Sequence, residues 1–266
     1  METWKRTVYI SLVCVFCTSF GVSQLAPILP LYFHDLGVQT PSAMSLWSGL
    51  ATGATYLIVC LVAPFWGRVA DKKGRKITLI RSSFGMALCN LLLAFQTTPE
   101  GVVIIRLIQG LVNGFYSATI TLIASESPIE RTGWALGLLA SANLAGSLIG
   151  PLLGGYIADT IGIRNGFILV GILMGFAGFL ATIFIHENYV PKPNVEKLSI
   201  SKLKEQIPEF NSIVALCVAS FIYAICIMSL QPVISVYIKG IVPSNTENLA
   251  FIAGAVFSAM GIAQLI

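Results

Sequence analysis

GRVADKKGRK, residues 67–76, puts five basic side chains (Arg68, Lys72, Lys73, Arg75 and Lys76) into ten positions. The whole chain of 266 residues holds only sixteen Lys and Arg, and it is 56% hydrophobic and 11% charged. A soluble domain averages roughly 25% charged residues, whereas the mean hydropathy here is +0.83. The decapeptide therefore reads as a polar turn between lipid-facing segments.

A spanning helix needs about 20 predominantly apolar residues. Such runs fall at 7–33, 45–66, 77–96, 101–123, 134–158, 165–186, 211–238 and 248–266, eight in all. Backbone groups in lipid must be satisfied internally, and these runs are too long for barrel strands, so an all-α polytopic membrane bundle is expected. The first run is too long for a signal core, carries Pro27 and Pro30, and lacks a small-residue cleavage site.

Charge orients the bundle, because cytoplasmic loops carry an excess of Lys and Arg. With the N-terminus inside, thirteen cations fall on the inner side: Lys5, Arg6, Arg68, Lys72, Lys73, Arg75, Lys76, Arg81, Arg131, Lys192, Lys197, Lys202 and Lys204. Arg164 and Lys239 fall outside, and Arg106 lies within a run. A multi-pass plasma-membrane protein with a cytoplasmic N-terminus is expected. Its net charge of +4 reflects topology and anionic headgroups, not nucleic acid. The six cysteines all fall in apolar runs, where they serve as small apolar residues. No metal-ligand cluster, phosphate loop or nucleophile elbow is present, and an enzyme is not expected.

PILPLYFHDL (27–36) and PVISVYIKGI (232–241) match at Pro27/Pro232 and Tyr32/Tyr237, and the same offset of 205 pairs Gly49 with Gly254 and Ala54 with Ala259. The last two runs thus read as second copies of the first two. The organisation expected is a six-helix bundle at 1–186, a cytoplasmic linker at 187–210 and a partial second bundle at 211–266. Within the linker, Ile200, Leu203, Ile207 and Phe210 recur at helical spacing, which fits an interfacial helix or a solvated tether. The second copy of the basic turn would begin at 67 + 205 = 272, so the chain is expected to be C-terminally truncated relative to two complete copies.

These features and the turn sequences resemble the major facilitator superfamily. GRVADKKGRK is similar to the signature after that family's second helix, with Val69 in place of the usual Leu. RLIQG (106–110) resembles the fourth-helix signature at Arg106, Gln109 and Gly110, and GSLIGPLLGG (146–155) resembles the fifth-helix antiporter signature at Gly146, Gly150, Pro151, Gly154 and Gly155. QLAPILPLYFHDLGV (24–38) resembles the first helix of the drug:proton antiporter branch, and WKR (4–6), PFWG (64–67) with ADKKGRK (70–76) and GWALG (133–137) are similar to bacterial multidrug efflux members of that branch. Members have about twelve helices in two halves. The resemblance implies a latch between the halves at Gly67, Asp71, Gly74, Arg75 and Lys76, a coupling role for Arg106, Gln109 and Gly110, and a gating seam along the fifth helix. It also implies a monomer in the bacterial inner membrane, driven by the proton gradient without a cofactor.

The residues carry their own physics. Gly67 and Gly74 supply backbone freedom, Asp71 can face a helix N-terminus, and Arg75 offers a planar fork to a carboxylate. Topology alone would explain the lysines. Arg106 reads as the sole charge well inside a run, where a charge is costly and faces a cavity or partner. Gln109, Gly110 and Asn113 share its helix face; the alternative is snorkelling to the outer surface near Glu100. Gly146, Gly150 and Gly154, four apart, let helices touch, and Pro151 permits a kink. With most of a second copy absent, that small face is expected against lipid, and the alternative function is a remnant that transports nothing. No carboxylate sits at mid-depth, which leaves Asp35, a water-linked group or residues beyond 266 as the proton carrier. Gln24, Asn113, Tyr116 and Asn143 offer a cavity few polar groups, favouring bulky amphiphiles over a sugar or amino-acid derivative.

Overall fold

The computed structural model describes residues 3–187, 210–241 and 248–263. These form ten α-helices: α1 (Thr3–Ser23), α2 (Leu25–Asp35), α3 (Pro41–Lys73), α4 (Arg75–Ala94), α5 (Pro99–Val112), α6 (Phe115–Glu126), α7 (Ile129–Ile161), α8 (Ile163–Phe184), α9 (Phe210–Ile241) and α10 (Leu249–Ala263). Seven stretches among the described residues are long and apolar enough to cross a membrane. The eighth expected run is a shorter apolar helix, Leu249–Ile262, within those residues. Ile200, Leu203, Ile207 and the linker lysines lie outside the described residues.

Ten helices arise because two of the expected runs are broken. The first breaks at Gln24, between α1 and α2. Tyr32 then ties α2 to α4, its hydroxyl donating to the Leu93 carbonyl at 2.6 Å. The fourth breaks at Asn113–Gly114, where Gly114 takes φ +122°, a conformation that favours glycine.

A break within lipid frees carbonyl groups that need donors. Here the donors come from neighbouring helices. The Trp66 indole donates to the Leu111 carbonyl at 2.8 Å. Arg81 donates through Nη1 to the same carbonyl at 3.0 Å and through Nη2 to the Asn113 carbonyl at 3.1 Å. Its guanidinium lies 3.4 Å from the Trp66 ring centroid. Two expectations are corrected: Arg81 is a helical residue of α4, not a loop cation, and Arg106 is not the sole charge inside a span.

Other helix ends follow ordinary rules. Thr40 and Thr98 cap α3 and α5, accepting from the Ala43 and Gly101 amides at 3.3 and 3.2 Å, with Pro41 and Pro99 at the first helical positions. The basic decapeptide is almost wholly helical. α3 runs to Lys73 and only Gly74, at φ +93°, departs before α4 begins. Gly67 is therefore an ordinary helical residue, not the backbone exception expected of it.

α7 packs along α1 and α10, α4 along α8, and α3 along α5. A Cβ on Gly146 would stand 2.7 Å from the Phe16 carbonyl oxygen, and one on Gly150 2.6 Å from that of Phe20, so α7 meets α1 backbone to backbone. Gly155 lies equally close to Ala250 at the start of α10, and Gly254 to Pro151. The small face of α7 thus lies against two helices, not against lipid. Close approach between small residues is what makes such packing favourable where no hydrophobic driving force acts between helices.

Candidate substrate cavity and signature turns

α1, α2, α3 and α7 face α9 and α10 across a cavity of about 470 Å³. Apolar and adaptable side chains dominate its wall, among them Tyr56, Leu148, Met228, Phe257 and Met260, with Ser23, Asn143 and Ser147 as polar points. A smaller cavity of about 210 Å³ shares Val22, Ser23, Asn143 and Ser147 with it and adds Asn113 and Tyr116. Ser19 orients Asn143 by donating to its Oδ1 at 2.6 Å. The structure thus brings Asn113, Tyr116 and Asn143 around connected space.

Gln24 lies elsewhere. It is only 1% exposed, outside both cavity walls, and its amide oxygen would come within 2.8 Å of a Cβ on Gly154. Neither amide atom has a hydrogen-bond partner among the described residues. The methionines and Phe257 were not singled out in the sequence. An apolar residue on a wall and one in a core look alike there.

Arg106 is 7% exposed and does not reach the surface. Its Nη1 donates to Gln109 Oε1 at 2.7 Å, while its own carbonyl accepts from Thr55 at 3.0 Å. Gly110 allows this closeness, since a Cβ there would stand 2.6 Å from the Thr55 carbonyl oxygen. The guanidinium Nε has no partner among the described residues. Asn113 lies beyond the last residue of α5 in extended conformation, so it leaves the helix face shared by Arg106, Gln109 and Gly110.

Gly67, Asp71 and Arg75 line a third cavity of about 430 Å³, together with Trp66, Thr78, Asn113 and Gly114. Glu187, just past α8, accepts the backbone N–H groups of both Arg75 and Lys76 at 2.8 Å. A carboxylate at a helix N-terminus meets unsatisfied donors and the positive end of the dipole. The contribution seen here from Arg75 to a carboxylate is thus its backbone amide. Asp35, with its side chain 59% exposed, sits at the other end of the bundle, 3.8 Å from His34 Nδ1. Lys239 of α9 lies within electrostatic reach of it.

The profile of the Major Facilitator Superfamily matches residues 11–266. The chain belongs to this family. It is 35% identical to the multidrug resistance protein MdtG of Proteus mirabilis (strain HI4320) over 265 residues, covering 100% of this chain and 66% of that protein. With the MdtG of Salmonella newport (strain SL254) it shares 35% identity over 263 residues, covering 99% of this chain and 65% of the relative. The chain therefore spans just under two thirds of the length of these curated relatives. Among solved structures, an auto-inhibited POT family peptide transporter superposes with a TM-score of 0.63 at 16% identity, over 97% of this chain and 52% of the other. The POT family transporter PepTSo does so with a TM-score of 0.59 at 13% identity, over 97% and 54%. At such identities the likeness is one of fold.

Proposed function

We propose that the chain forms the larger part of a secondary transporter that exports bulky amphiphilic compounds in exchange for protons by alternating access. The observation that carries this reading is the 470 Å³ cavity between α1, α2, α3 and α7 on one side and α9 and α10 on the other. Among the described residues its wall has no carboxylate and no cation, and thioethers and aromatic rings re-pack around varied apolar guests. The MdtG relatives are named multidrug resistance proteins, which supports drug-like substrates.

In this reading 1–186 forms one bundle, 187–210 a cytoplasmic linker and 211–266 part of a second bundle. With Arg81 set aside as a residue within a span, the twelve-to-two distribution of cations supports an inside N-terminus, in a bacterial inner membrane. Gly67, Asp71, Gly74, Arg75 and Lys76 form the inner latch, and Arg106, Gln109, Gly110 and Asp35 take part in coupling. The working form is a monomer in lipid and needs no cofactor beyond the proton gradient.

The test is ethidium accumulation in a pump-deficient bacterial host expressing this chain fused to the final third of the Proteus mirabilis relative. Lower accumulation that a protonophore abolishes is the expected result. Accumulation equal to that of the empty host, at confirmed membrane abundance, would overturn the reading.

A further inference from the structure

The turn at Gly74 has a counterpart. α3 and α7 each run for 33 residues. The bounds of α7 and the start of α8 lie 88 positions beyond those of α3 and α4 (129 − 41, 161 − 73 and 163 − 75). At that offset GRVADKKG (67–74) aligns with GYIADTIG (155–162), pairing Gly67 with Gly155, Ala70 with Ala158, Asp71 with Asp159 and Gly74 with Gly162. The backbone repeats as well: Gly74 has φ +93° and ψ 156°, and Gly162 has φ +89° and ψ 153°. An odd number of crossings (α4, then α5 with α6, then α7) separates the two turns, so they lie on opposite membrane faces.

The second turn grips a helix. Asp159 accepts the Ala250 amide through Oδ1 at 3.1 Å and the Phe251 amide through Oδ2 at 2.7 Å. These amides belong to the first turn of α10, whose N–H groups have no partner within the helix. Gly155 lets α10 seat, because a Cβ there would overlap the Ala250 carbonyl and stand 2.9 Å from the Phe251 Cα. Deeper along the contact, Ser258 donates to the Leu148 carbonyl at 2.6 Å. Leu148, Pro151, Phe257 and Met260 from these two helices wall the 470 Å³ cavity. The first turn differs: a Cβ on Gly67 would meet nothing within 4 Å, and the 430 Å³ cavity adjoins it.

We infer that Asp159 is a gating residue, the outer-face repeat of the Asp71 turn, which holds the start of α10 over the central cavity and releases it when that cavity opens outward. The inference rests on the transport reading above. A carboxylate on two amides suits a contact that must form and break. Its bonds are charge-assisted and strong, and water replaces both partners when the contact opens at the membrane edge. The glycine contact beneath it is steric and fixes where α10 docks without closing the gate alone.

Spin labels on Thr160→Cys and Asn248→Cys, with Cys60, Cys217 and Cys226 replaced by Ser, report this gate by pulsed electron paramagnetic resonance on the full chain in lipid nanodiscs. The unaltered gate gives one short distance. Asp159→Ala and Asp159→Asn raise the open-to-closed ratio at least about tenfold, the factor set by losing one charge-assisted hydrogen bond. Asp159→Glu stays mostly closed. Ala250→Pro removes a donor at a first-turn position that tolerates proline, and it opens the gate with Asp159 intact. Tyr156→Leu removes the 6.4 Å ring contact with Phe251 and leaves the distribution unchanged. A single short distance in both Asp159→Ala and Ala250→Pro overturns the inference, as does equal opening in Tyr156→Leu. If the fused transporter extrudes no ethidium while these distances shift as stated, the transport reading falls and the Asp159 contact stands. If extrusion holds and the distances do not respond, the gate falls alone.

Discussion

Arg81 and Arg106 are both arginines inside apolar helices, and they meet the cost of burial differently. Arg81 spends its donors on two carbonyls freed by the break in the fourth span and stacks on Trp66. Arg81→Met leaves the Asn113 carbonyl without that donor, so it should cost about 1–3 kcal/mol. It should also raise amide hydrogen exchange across 111–118, read by mass spectrometry on the chain in nanodiscs. Exchange equal to that of the unaltered chain would show that the break holds itself. Arg106 instead reaches along its own helix to Gln109. In the fused transporter, Arg106→Ala should insert normally yet lose ethidium extrusion, and Lys should restore little, because a point charge does not reproduce a guanidinium fork. Full extrusion by Arg106→Ala would remove it from the coupling machinery. Arg106 was legible because it stands alone in an apolar run. Arg81 was not, since it follows Lys76 closely enough to be counted with the turn. The Asn113-Gly114 dipeptide is itself a turn signal, but the surrounding apolar run outweighed it.

Among the helices, α3 and α10 show how the same residue type plays opposite parts. Gly254 and Gly49 are equivalent under the 205-residue repeat, yet a Cβ on Gly254 would overlap the Pro151 carbonyl, and one on Gly49 would meet nothing within 4 Å. Gly254→Ala should therefore force α7 and α10 apart and cost about 1–3 kcal/mol, as overpacking does. Gly49→Ala should stabilise α3 by roughly 0.5–1 kcal/mol through its better helix propensity. Thermal unfolding of the two variants in one detergent decides this, and a loss of stability in both would mean that the open space at Gly49 is filled in solution. The glycine spacing in α7 was readable from the sequence. Its partners were not, because spacing gives a face and says nothing of what covers it. The 88-residue repeat was present in the letters as well. Only four identities mark it between 67–74 and 155–162, too few to stand out until the paired glycine conformations exposed it.

For the molecule as a whole, the structure gathers the basic and aromatic groups of several helices at one end. Trp4 of α1 stacks edge-on against Trp134 of α7 at 6.5 Å, Arg6 lies 5.0 Å from the Phe184 ring of α8, and Glu187 caps α4. At the opposite end Arg164 donates to the Gln96 carbonyl at 3.1 Å, and Asp159 holds α10. Interfacial Trp and Arg anchor helix ends at the headgroups, so each end marks one face of the bilayer. The proposed orientation, which the excess of cations supports, puts the first end in the cytoplasm. In that orientation Gln39, between α2 and α3, lies outside, and Lys73 at the end of α3 lies inside, separated by a single crossing. Lys73→Cys and Gln39→Cys, each on a cysteine-free background, should therefore label from opposite sides. A membrane-impermeant maleimide added to intact cells should modify only Gln39→Cys, and Lys73→Cys should react only in inverted vesicles. Labelling of Lys73→Cys from outside would reverse the assignment. It would also move the Asp159 contact to the cytoplasmic face, where it could no longer close an outer mouth.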